Sequence, residues 1–335
     1  MDKIQRDKLL VVEHLSKDFV PARRLFDKKL PSVKAVNDVS FFVRQGETFG
    51  IVGESGCGKT TLGKCIVRLY NPTAGKILFN DEGEMKDILS LDRKESFALR
   101  QKLQIVFQDP YASLNPMHNI LEAFDEPMRI HGIGDGDKEK RKEIIAESLR
   151  AVNLQPEYMY RYPHEFSGGQ RQRICIAKAL ALKPRLIVCD EPVSALDVSI
   201  QAQILNLMRK LQKEYDLAFL FIAHDLSVVQ YMSDRIAVMY LGQIVEMGEA
   251  KDLYHKHLHP YTEALLSAVP VPVCGAKKDR IILAGDVPSP MDPPSGCLFH
   301  PRCSKCMEIC KTVKPELCSM GNDHYVACHL YREGT

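Results

Sequence analysis

Short runs of apolar residues, each bounded by polar or glycine-rich segments, set the pattern of the chain. Three of them, Thr48–Val52, Leu186–Cys189 and Phe219–Ala223, have the length of buried strands. All fall far short of the roughly 18 apolar residues that a membrane-spanning helix needs. Between residues 167 and 250 strand patterns alternate with helical ones. Such alternation is typical of an α/β fold built on a parallel sheet.

The pattern of apolar and polar residues also divides the rest of the chain into regions. Residues 1 to about 80 are predicted to be rich in strands, with a basic loop inserted at Pro21–Pro31, and residues from about 85 to 165 to be helical. Leu241–Gly248 is predicted to form a final hairpin. After Lys256 the composition shifts toward proline, which indicates a loop-rich appendage. We therefore predict a domain over residues 1–250, with a helical subdomain at about 110–180, and an extension over residues 251–335.

The segment that follows the first apolar run carries the clearest chemistry. Gly53–Thr60 fits the pattern G-x-x-x-x-G-K-[ST] completely, and it stands between the strand Thr48–Val52 and a predicted helix, Thr61–Leu69. Lys59 is suited to the β- and γ-phosphates of a nucleoside triphosphate, and the Thr60 hydroxyl to Mg²⁺. These features predict a P-loop NTPase. The predicted nucleotide contacts here are Gly53, Glu54, Ser55, Gly56, Cys57, Gly58, Lys59, Thr60 and Thr61.

Two carboxylates, Asp190 and Glu191, follow the apolar run that begins at Leu186. Ligands of open parallel sheets bind at the carboxyl ends of the strands. Asp190 is therefore predicted to hold Mg²⁺ through water, and Glu191 to polarise the attacking water as a general base. Taken alone, the pair could equally end a strand and cap the segment after it.

A second anion site is predicted where a helix begins at Ser167. A serine cap followed by two glycines leaves backbone N–H groups exposed to an anion. Because the chain already has one phosphate loop, this site suits the triphosphate of a second nucleotide. The alternative is an ordinary serine-capped helix start. The residues concerned are Ser167, Gly168, Gly169 and Gln170.

Composition limits the remaining possibilities. The chain has 335 residues, a net charge of +2 and no long basic stretch, so nothing argues for nucleic-acid binding. The charged N-terminus lacks an apolar signal core, and the chain is expected to be soluble. Of the 11 cysteines, four in the first domain are predicted to be small buried hydrophobes, and seven crowd the last 62 residues. The first four are Cys57, Cys65, Cys175 and Cys189.

Together these motifs resemble the ATP-binding-cassette (ABC) ATPases, and the resemblance covers most of the chain. It adds a glutamine loop at Gln108, a Ser194–Asp197 loop and a switch histidine at His224. The family implies that Gln108 contacts Mg²⁺ and the attacking water, that His224 contacts the γ-phosphate, and that Asp197 lies at a dimer interface. It also implies that Phe19 stacks on adenine, although a core phenylalanine is the alternative. Two ATP molecules would then lie between two cassettes, each facing Ser167–Gln170 of the other chain.

Further segments are similar to the oligopeptide/dipeptide importer branch, and to the second of its two ATPase subunits. They are Gln108–Pro116, Arg161–Ser167, Glu191–Gln203 and Leu258–Thr262. This resemblance implies a second homologous ATPase subunit (or a homodimer in isolation), two membrane permeases and an extracytoplasmic substrate-binding protein. The chain would lie peripherally on the cytoplasmic face of the membrane.

Other functions remain open at this point. A nickel or sugar importer of the same branch is one alternative, because the substrate is inferred only by analogy. A soluble ABC ATPase of DNA repair or translation is another, but the chain has one cassette and no coiled-coil insertion. Exporters commonly fuse the cassette to membrane spans, and no span is predicted.

The cysteines near the C-terminus also match this branch, some members of which resemble iron–sulfur proteins. The resemblance implies a [4Fe–4S] cluster held by Cys297, Cys303, Cys310 and Cys328, with Cys306 and Cys318 as alternative ligands. Thiolates suit either iron–sulfur or zinc. The spacing matches neither a standard ferredoxin nor a zinc finger, so zinc and metal-free packing both remain alternatives.

Overall fold

The structure is a computed structural model that describes residues 8–20, 32–269 and 280–331. The predicted insertion at 21–31 and Cys274 lie outside these ranges. Contacts divide the chain into two compact units, Met1–Leu9, Arg44–Glu47 and Ser90–Phe221 in the first, and Leu10–Val43, Thr48–Leu89 and Ile222–Thr335 in the second. Within the described ranges, none of the helices has the length and apolar character that crossing a bilayer requires.

The structure contains both strands and helices along its described length. The strands are β1 (Lys8–Phe19), β2 (Val33–Arg44), β3 (Thr48–Val52), β4 (Ala74–Asp81), β5 (Glu84–Asp87), β6 (Leu103–Val106), β7 (Leu186–Asp190), β8 (Ala218–Ile222), β9 (Arg235–Tyr240), β10 (Gln243–Glu249), β11 (Cys318–Ser319) and β12 (Tyr325–Val326). The α-helices are α1 (Lys59–Ile66), α2 (Arg93–Lys102), α3 (Ile120–Ile130), α4 (Lys138–Ala151), α5 (Gly168–Leu180), α6 (Val198–Tyr215), α7 (Leu226–Met232), α8 (Ala250–His255), α9 (Pro260–Ser267) and α10 (Glu308–Thr312).

The second unit contains two groups of strands. One is a four-stranded sheet in the order β2-β1-β4-β5, in which β1 pairs with β4 and β4 with β5, both antiparallel. This confirms the strand-rich start of the chain. In the other group β3 lies parallel to β9, and β9, β10, β12 and β11 follow as antiparallel neighbours. A hairpin is present, but the predicted range Leu241–Gly248 covers only its turn and most of its second strand. The hairpin is β9–β10, which turns at Leu241 and Gly242 with φ angles of 42° and 81°.

The first unit combines the strands β6, β7 and β8 with the helices α2 to α6. β6 and β7 are parallel, with Val106 opposite Cys189, and every residue of β7 is buried. The helices α3, α4 and α5 pack on one another. Their starts are set by side-chain caps, for example Asn119, which forms a capping box with Glu122. The prediction of helix from about 85 to 165 is wrong at β6, Leu103–Val106, which pairs with β7.

Candidate functional site

The predicted phosphate loop follows β3 directly and enters α1 at Lys59. Gly58 is the residue before that helix and has a φ of 103°, in the left-handed region that glycine adopts without strain. A β-carbon on Gly58 would lie 2.0 Å from the carbonyl oxygen of Ala35. A side chain at this position is therefore excluded both by its backbone angle and by its neighbour.

Lys59 is buried at the start of α1, and its ammonium group is occupied. Its Nζ donates to the carbonyl oxygens of Gly53, at 2.7 Å, and Glu54, at 2.9 Å. Gly58 supplies no side-chain cap, so α1 presents its first N–H groups without a competing side-chain oxygen. This end of the helix suits an anion. Thr60 and Thr61 lie in the same first turn, whereas Ser55 and Gly56 are exposed at the tip of the loop.

Cys57 lies within the loop as a buried thiol. Burial raises its pKa, and the neighbouring Lys59 opposes that rise only in part. The remaining cysteines of the first domain, Cys65, Cys175 and Cys189, are also buried. The prediction that these four pack as small hydrophobes is confirmed.

Sequence reasoning missed a contact that the loop makes with a distant part of the second unit. Arg302 donates two hydrogen bonds to the carboxylate of Glu54, and the Glu54 amide donates to the phenol oxygen of Tyr261. These residues stand 248 and 207 positions from Glu54. Tyr261 lies in the motif Leu258–Thr262 and Arg302 in the segment Gly296–Cys303, which also resembles the importer branch, but neither segment indicated a partner on the loop.

In the first unit, the carboxylates and the glutamine come together at one sheet edge. β6 and β7 are parallel, so Gln108 and the pair Asp190–Glu191 emerge at the same carboxyl ends. Gln108 Nε2 donates to Glu191 Oε2 at 3.0 Å. Asp190 is buried, whereas Glu191 is partly exposed and has a φ of 49°, an uncommon angle for a residue other than glycine. Such strain is characteristic of functional positions.

The segment Ser167–Gln170 forms the start of α5 as predicted. Ser167 and Gln170 make a capping box, in which each side chain accepts a hydrogen bond from the backbone amide of the other. Gly169 approaches Ile200 of α6 so closely that a β-carbon would lie 2.6 Å from that side chain. Asp197, which precedes α6, is exposed. Glycine at 169 therefore allows the start of α5 to approach α6.

Two further predicted contacts lie in the second unit. Phe19 ends β1 with 37% of its surface exposed and meets Tyr70 edge to face, with ring centroids 5.4 Å apart. A core position for Phe19, the alternative interpretation, is therefore wrong. His224 is exposed between β8 and α7, which begins after the capping residue Asp225. Neither placement tests the proposed contact with nucleotide.

The predicted ligands of a metal centre share one neighbourhood in the extension. Cys297 donates its amide to the carbonyl of Cys310 at 2.8 Å. Burial raises the pKa of Cys297 to about 11, and the nearby thiols of Cys310, Cys328 and Cys303 add to that rise. Cys306 and Cys318 are exposed. However, no three His, Cys, Asp or Glu side chains among the described residues are gathered closely enough for a metal ion. The residue types fit a thiolate centre, but their arrangement does not support the prediction.

Comparisons with known proteins place the chain in a family. Residues 36–194 match the ABC transporter family, and residues 245–310 match the oligopeptide/dipeptide transporter C-terminal region. YkfD of Bacillus subtilis, named as a putative oligopeptide transport ATP-binding protein, is 54% identical over 91% of this chain and 92% of its own length. AppF of the same organism, named as an oligopeptide transport ATP-binding protein, is 50% identical over 99% of this chain and 100% of its own.

Solved structures agree with this assignment. A dimeric ATP-binding cassette, MJ0796, in a post-hydrolysis state with ADP and phosphate, matches 72% of this chain and 99% of its own, with a TM-score of 0.62 and 27% identity. CbiO1 of Clostridium perfringens, part of an ABC transporter complex, matches 75% of this chain and 92% of its own, with a TM-score of 0.61 and 26% identity. The fold and the site thus define an ABC-type ATPase. The chain belongs to the ATP-binding proteins of ABC transporters, with the C-terminal region of the oligopeptide/dipeptide type.

Proposed function

We propose that this ATPase powers the import of oligopeptides or dipeptides through partner membrane permeases. The observation that carries the proposal is the match of residues 245–310 to the oligopeptide/dipeptide transporter C-terminal region. The names of YkfD and AppF, which match almost the whole chain, point the same way. Peptide is favoured over nickel or sugar for this reason.

The two sets of site residues have complementary roles in this proposal. Backbone amides of the loop and the start of α1 hold the phosphates, and Lys59 exchanges its carbonyl partners for phosphate oxygens. Thr60, Asp190 and Gln108 would hold Mg²⁺, and the ion would neutralise charge on the β- and γ-phosphates. Glu191 takes a proton from the attacking water, and His224 contacts the γ-phosphate. The hydrogen bond from Gln108 to Glu191 supports a shared task for these two side chains.

The partners follow from the same reasoning. We propose a dimer with a second ATPase subunit, in which Ser167–Gln170 and Asp197 of one chain face the nucleotide of the other. Exposure of Ser167 and Asp197 supports this, since both side chains are open to a partner. Two permeases would span the membrane, an extracytoplasmic protein would deliver the substrate, and this chain would lie peripherally on the cytoplasmic face.

The role of Glu191 is tested by the substitution Glu191→Gln. Loss of a general base lowers turnover by about 10²- to 10⁴-fold, while ATP binding by the loop remains. ATP affinity and steady-state hydrolysis are measured on the same preparations. Glu214→Gln, at the exposed end of α6, is the matched control and retains turnover. Unchanged hydrolysis in Glu191→Gln would reject Glu191 as the base.

The substrate is tested in the assembled complex with its permeases in membranes. Peptide delivered by the substrate-binding protein is expected to stimulate ATP hydrolysis, and nickel or sugar to leave it unchanged. Stimulation by nickel or sugar but not by peptide would replace the peptide proposal and leave the ATPase assignment intact.

The proposal includes a metal centre in the C-terminal extension. Cys297, Cys303, Cys310 and Cys328 would hold a [4Fe–4S] cluster, with Cys306 and Cys318 as alternative ligands; thiolates are the ligand type that such clusters take. Iron, acid-labile sulfide and zinc are measured on protein purified without oxygen. About four irons and four sulfides per chain are expected. Zinc alone would indicate a structural site, and neither metal in a folded protein would remove all of these assignments.

A further inference from the structure

The phosphate loop carries a negative charge of its own. Glu54 is its second residue, and 28% of its side chain is exposed. A carboxylate on a loop that receives a triphosphate opposes binding, because like charges a few ångströms apart repel strongly outside bulk water. A compensating cation would therefore serve nucleotide affinity as well as stability.

That cation is Arg302, in the short 3-10 helix His300–Arg302 of the C-terminal extension. Its two terminal nitrogens reach the two oxygens of Glu54 at 2.7 and 3.1 Å, and only 7% of the arginine side chain is exposed. Bidentate arginine–carboxylate pairs are the strongest and most directional of ion pairs. Accordingly, hydrogen bonding to Glu54 raises the pKa of Arg302 above its usual range.

The backbone of Glu54 is held by the extension as well. Its amide donates to the phenol oxygen of Tyr261 at 2.9 Å, and Tyr261 is fully buried in the first turn of α9. The ring of Tyr261 packs against Tyr240 and Phe299, with centroids 4.7 and 5.4 Å away. An aromatic cluster thus fixes the phenol oxygen that accepts from the loop.

Glu54, which Arg302 and Tyr261 contact, is also a hydrogen-bond partner of Lys59. The carbonyl of Glu54, in the residue held by Arg302 and Tyr261, is one of the two backbone carbonyls that accept from Lys59 Nζ. The orientation of that carbonyl, and so the resting position of the ammonium group, depends on how Glu54 is held.

We propose that the C-terminal extension sets the ATP affinity of the cassette by holding Glu54. Arg302 neutralises the loop carboxylate, Tyr261 fixes its peptide group, and both are positioning residues. The inference rests on the proposed role of Gly53–Thr60 as the ATP-binding loop. It assigns a task in nucleotide binding to a segment outside every motif of the cassette.

The experiment compares Arg302→Met with Lys305→Met in the full-length chain. Lys305 pairs with Glu263 at 2.9 Å in the same extension, but both side chains are well exposed, so its loss controls for general effects of removing a cation. Equilibrium binding of MgATP and the steady-state KM and kcat are measured. We expect Arg302→Met to weaken ATP binding and raise KM by about tenfold. We expect kcat to stay within about twofold, and Lys305→Met to match the unmodified protein.

A second substitution separates charge compensation from a purely structural effect. In the double variant Arg302→Met/Glu54→Gln the uncompensated carboxylate is gone, so ATP affinity should return to within about threefold of the unmodified protein. An Arg302→Met variant that binds ATP normally would overturn the inference. A loss of ATP affinity in Arg302→Met that the added Glu54→Gln substitution does not restore would also overturn the inference.

Two further variants decide the question if Arg302→Met does not fold. Arg302→Lys keeps the charge but loses the second hydrogen bond, and Tyr261→Phe removes only the phenol oxygen. A loss of ATP affinity of about threefold or more in either supports the inference, and normal affinity in both overturns it. If the unmodified protein itself binds no ATP, the proposed ATP-binding loop fails, which is a separate result.

Discussion

Two of the carboxylates that contact the C-terminal extension, Glu246 and Glu54, differ in their surroundings. Glu246, on β10, is completely buried and accepts hydrogen bonds from the amides of Leu258 and His259 and from the ring of His324, at 2.6, 3.0 and 2.8 Å. Glu54, on the phosphate loop, is partly exposed and accepts from Arg302. If Gly53–Thr60 binds ATP as proposed, the same residue type would serve stability at one position and nucleotide binding at the other.

The two carboxylates differ in which groups are left unpaired when the contact is removed. Loss of Glu246, which is fully buried, leaves three hydrogen-bond donors without their acceptor. Unsatisfied buried polar groups are among the largest costs that a substitution can cause. Loss of Arg302 leaves the carboxylate of Glu54 able to turn toward solvent, so the free energy of unfolding should change little. The unpaired charge should instead weaken the binding of an anion such as ATP. The two sites should therefore respond to different measurements.

The largest expected effect is on stability, in Glu246→Ala. Two backbone amides and one imidazole lose their acceptor, which lowers the free energy of unfolding by about 3 kcal/mol. The ATP affinity of the folded fraction should stay within about twofold. Urea unfolding and MgATP binding are measured together. Glu249→Ala, an exposed position at the end of the same strand, is the control and should change neither. Equal stability of the two variants would break the comparison.

His259 links the two sites and gives the next largest effect, through pH. Its amide donates to Glu246, and its ring Nδ1 accepts from the amide of Tyr261. Burial lowers the pKa of His259 from 6.5 to about 4, although Glu246 acts in the opposite direction. The folded protein therefore keeps the ring neutral where the unfolded chain takes up a proton, and stability falls as pH drops from about 6.5 toward 4.

The expected loss is about 2 kcal/mol between pH 6.5 and 5, since each pH unit in that window contributes up to about 1.4 kcal/mol. His259→Asn keeps a helix-capping acceptor but not the titration. Its free energy of unfolding, measured at pH 7.5 and 5.0, should fall less than that of the unmodified protein. If the free energy of unfolding fell equally in the two proteins, His259 would not be the cause of the pH dependence.

The two carboxylates also show what the sequence could and could not predict. The motif Gly53–Thr60 fixed the strand, loop and helix order, because its glycines and lysine are required by the local backbone. The helix end was wrong: Leu69 was predicted as the last residue, but α1 ends at Ile66 and Arg68 adopts a φ of 55°. No local pattern marks a left-handed arginine, and none marks a partner 248 residues away.

The contact between Gln108 and Glu191 was partly predictable from the sequence. That Gln108 meets Glu191 follows from two parallel strands in neighbouring positions, and the apolar runs before Asp190 made one of those strands predictable. By contrast, the spacing of Cys297, Cys303, Cys310 and Cys328 does not determine whether four thiols converge. A loop-rich segment has no periodicity that fixes the direction of its side chains. Residue types alone therefore could not show whether the four thiols form a metal centre.

The smallest effect, and the sharpest test of the comparison, is expected in Tyr261→Phe. The ring and its aromatic packing remain, and only the acceptor of the Glu54 amide is lost. A single hydrogen bond of this kind contributes about 1 kcal/mol, equivalent to roughly fivefold in ATP affinity if it acts on binding. The variant should therefore raise the KM for ATP several-fold while its pH-dependent loss of stability stays that of the unmodified protein. Tyr231→Phe, exposed on α7, should leave both unchanged. If instead Tyr261→Phe lowered stability and left ATP affinity intact, Glu54 would be a second structural anchor of the same kind as Glu246.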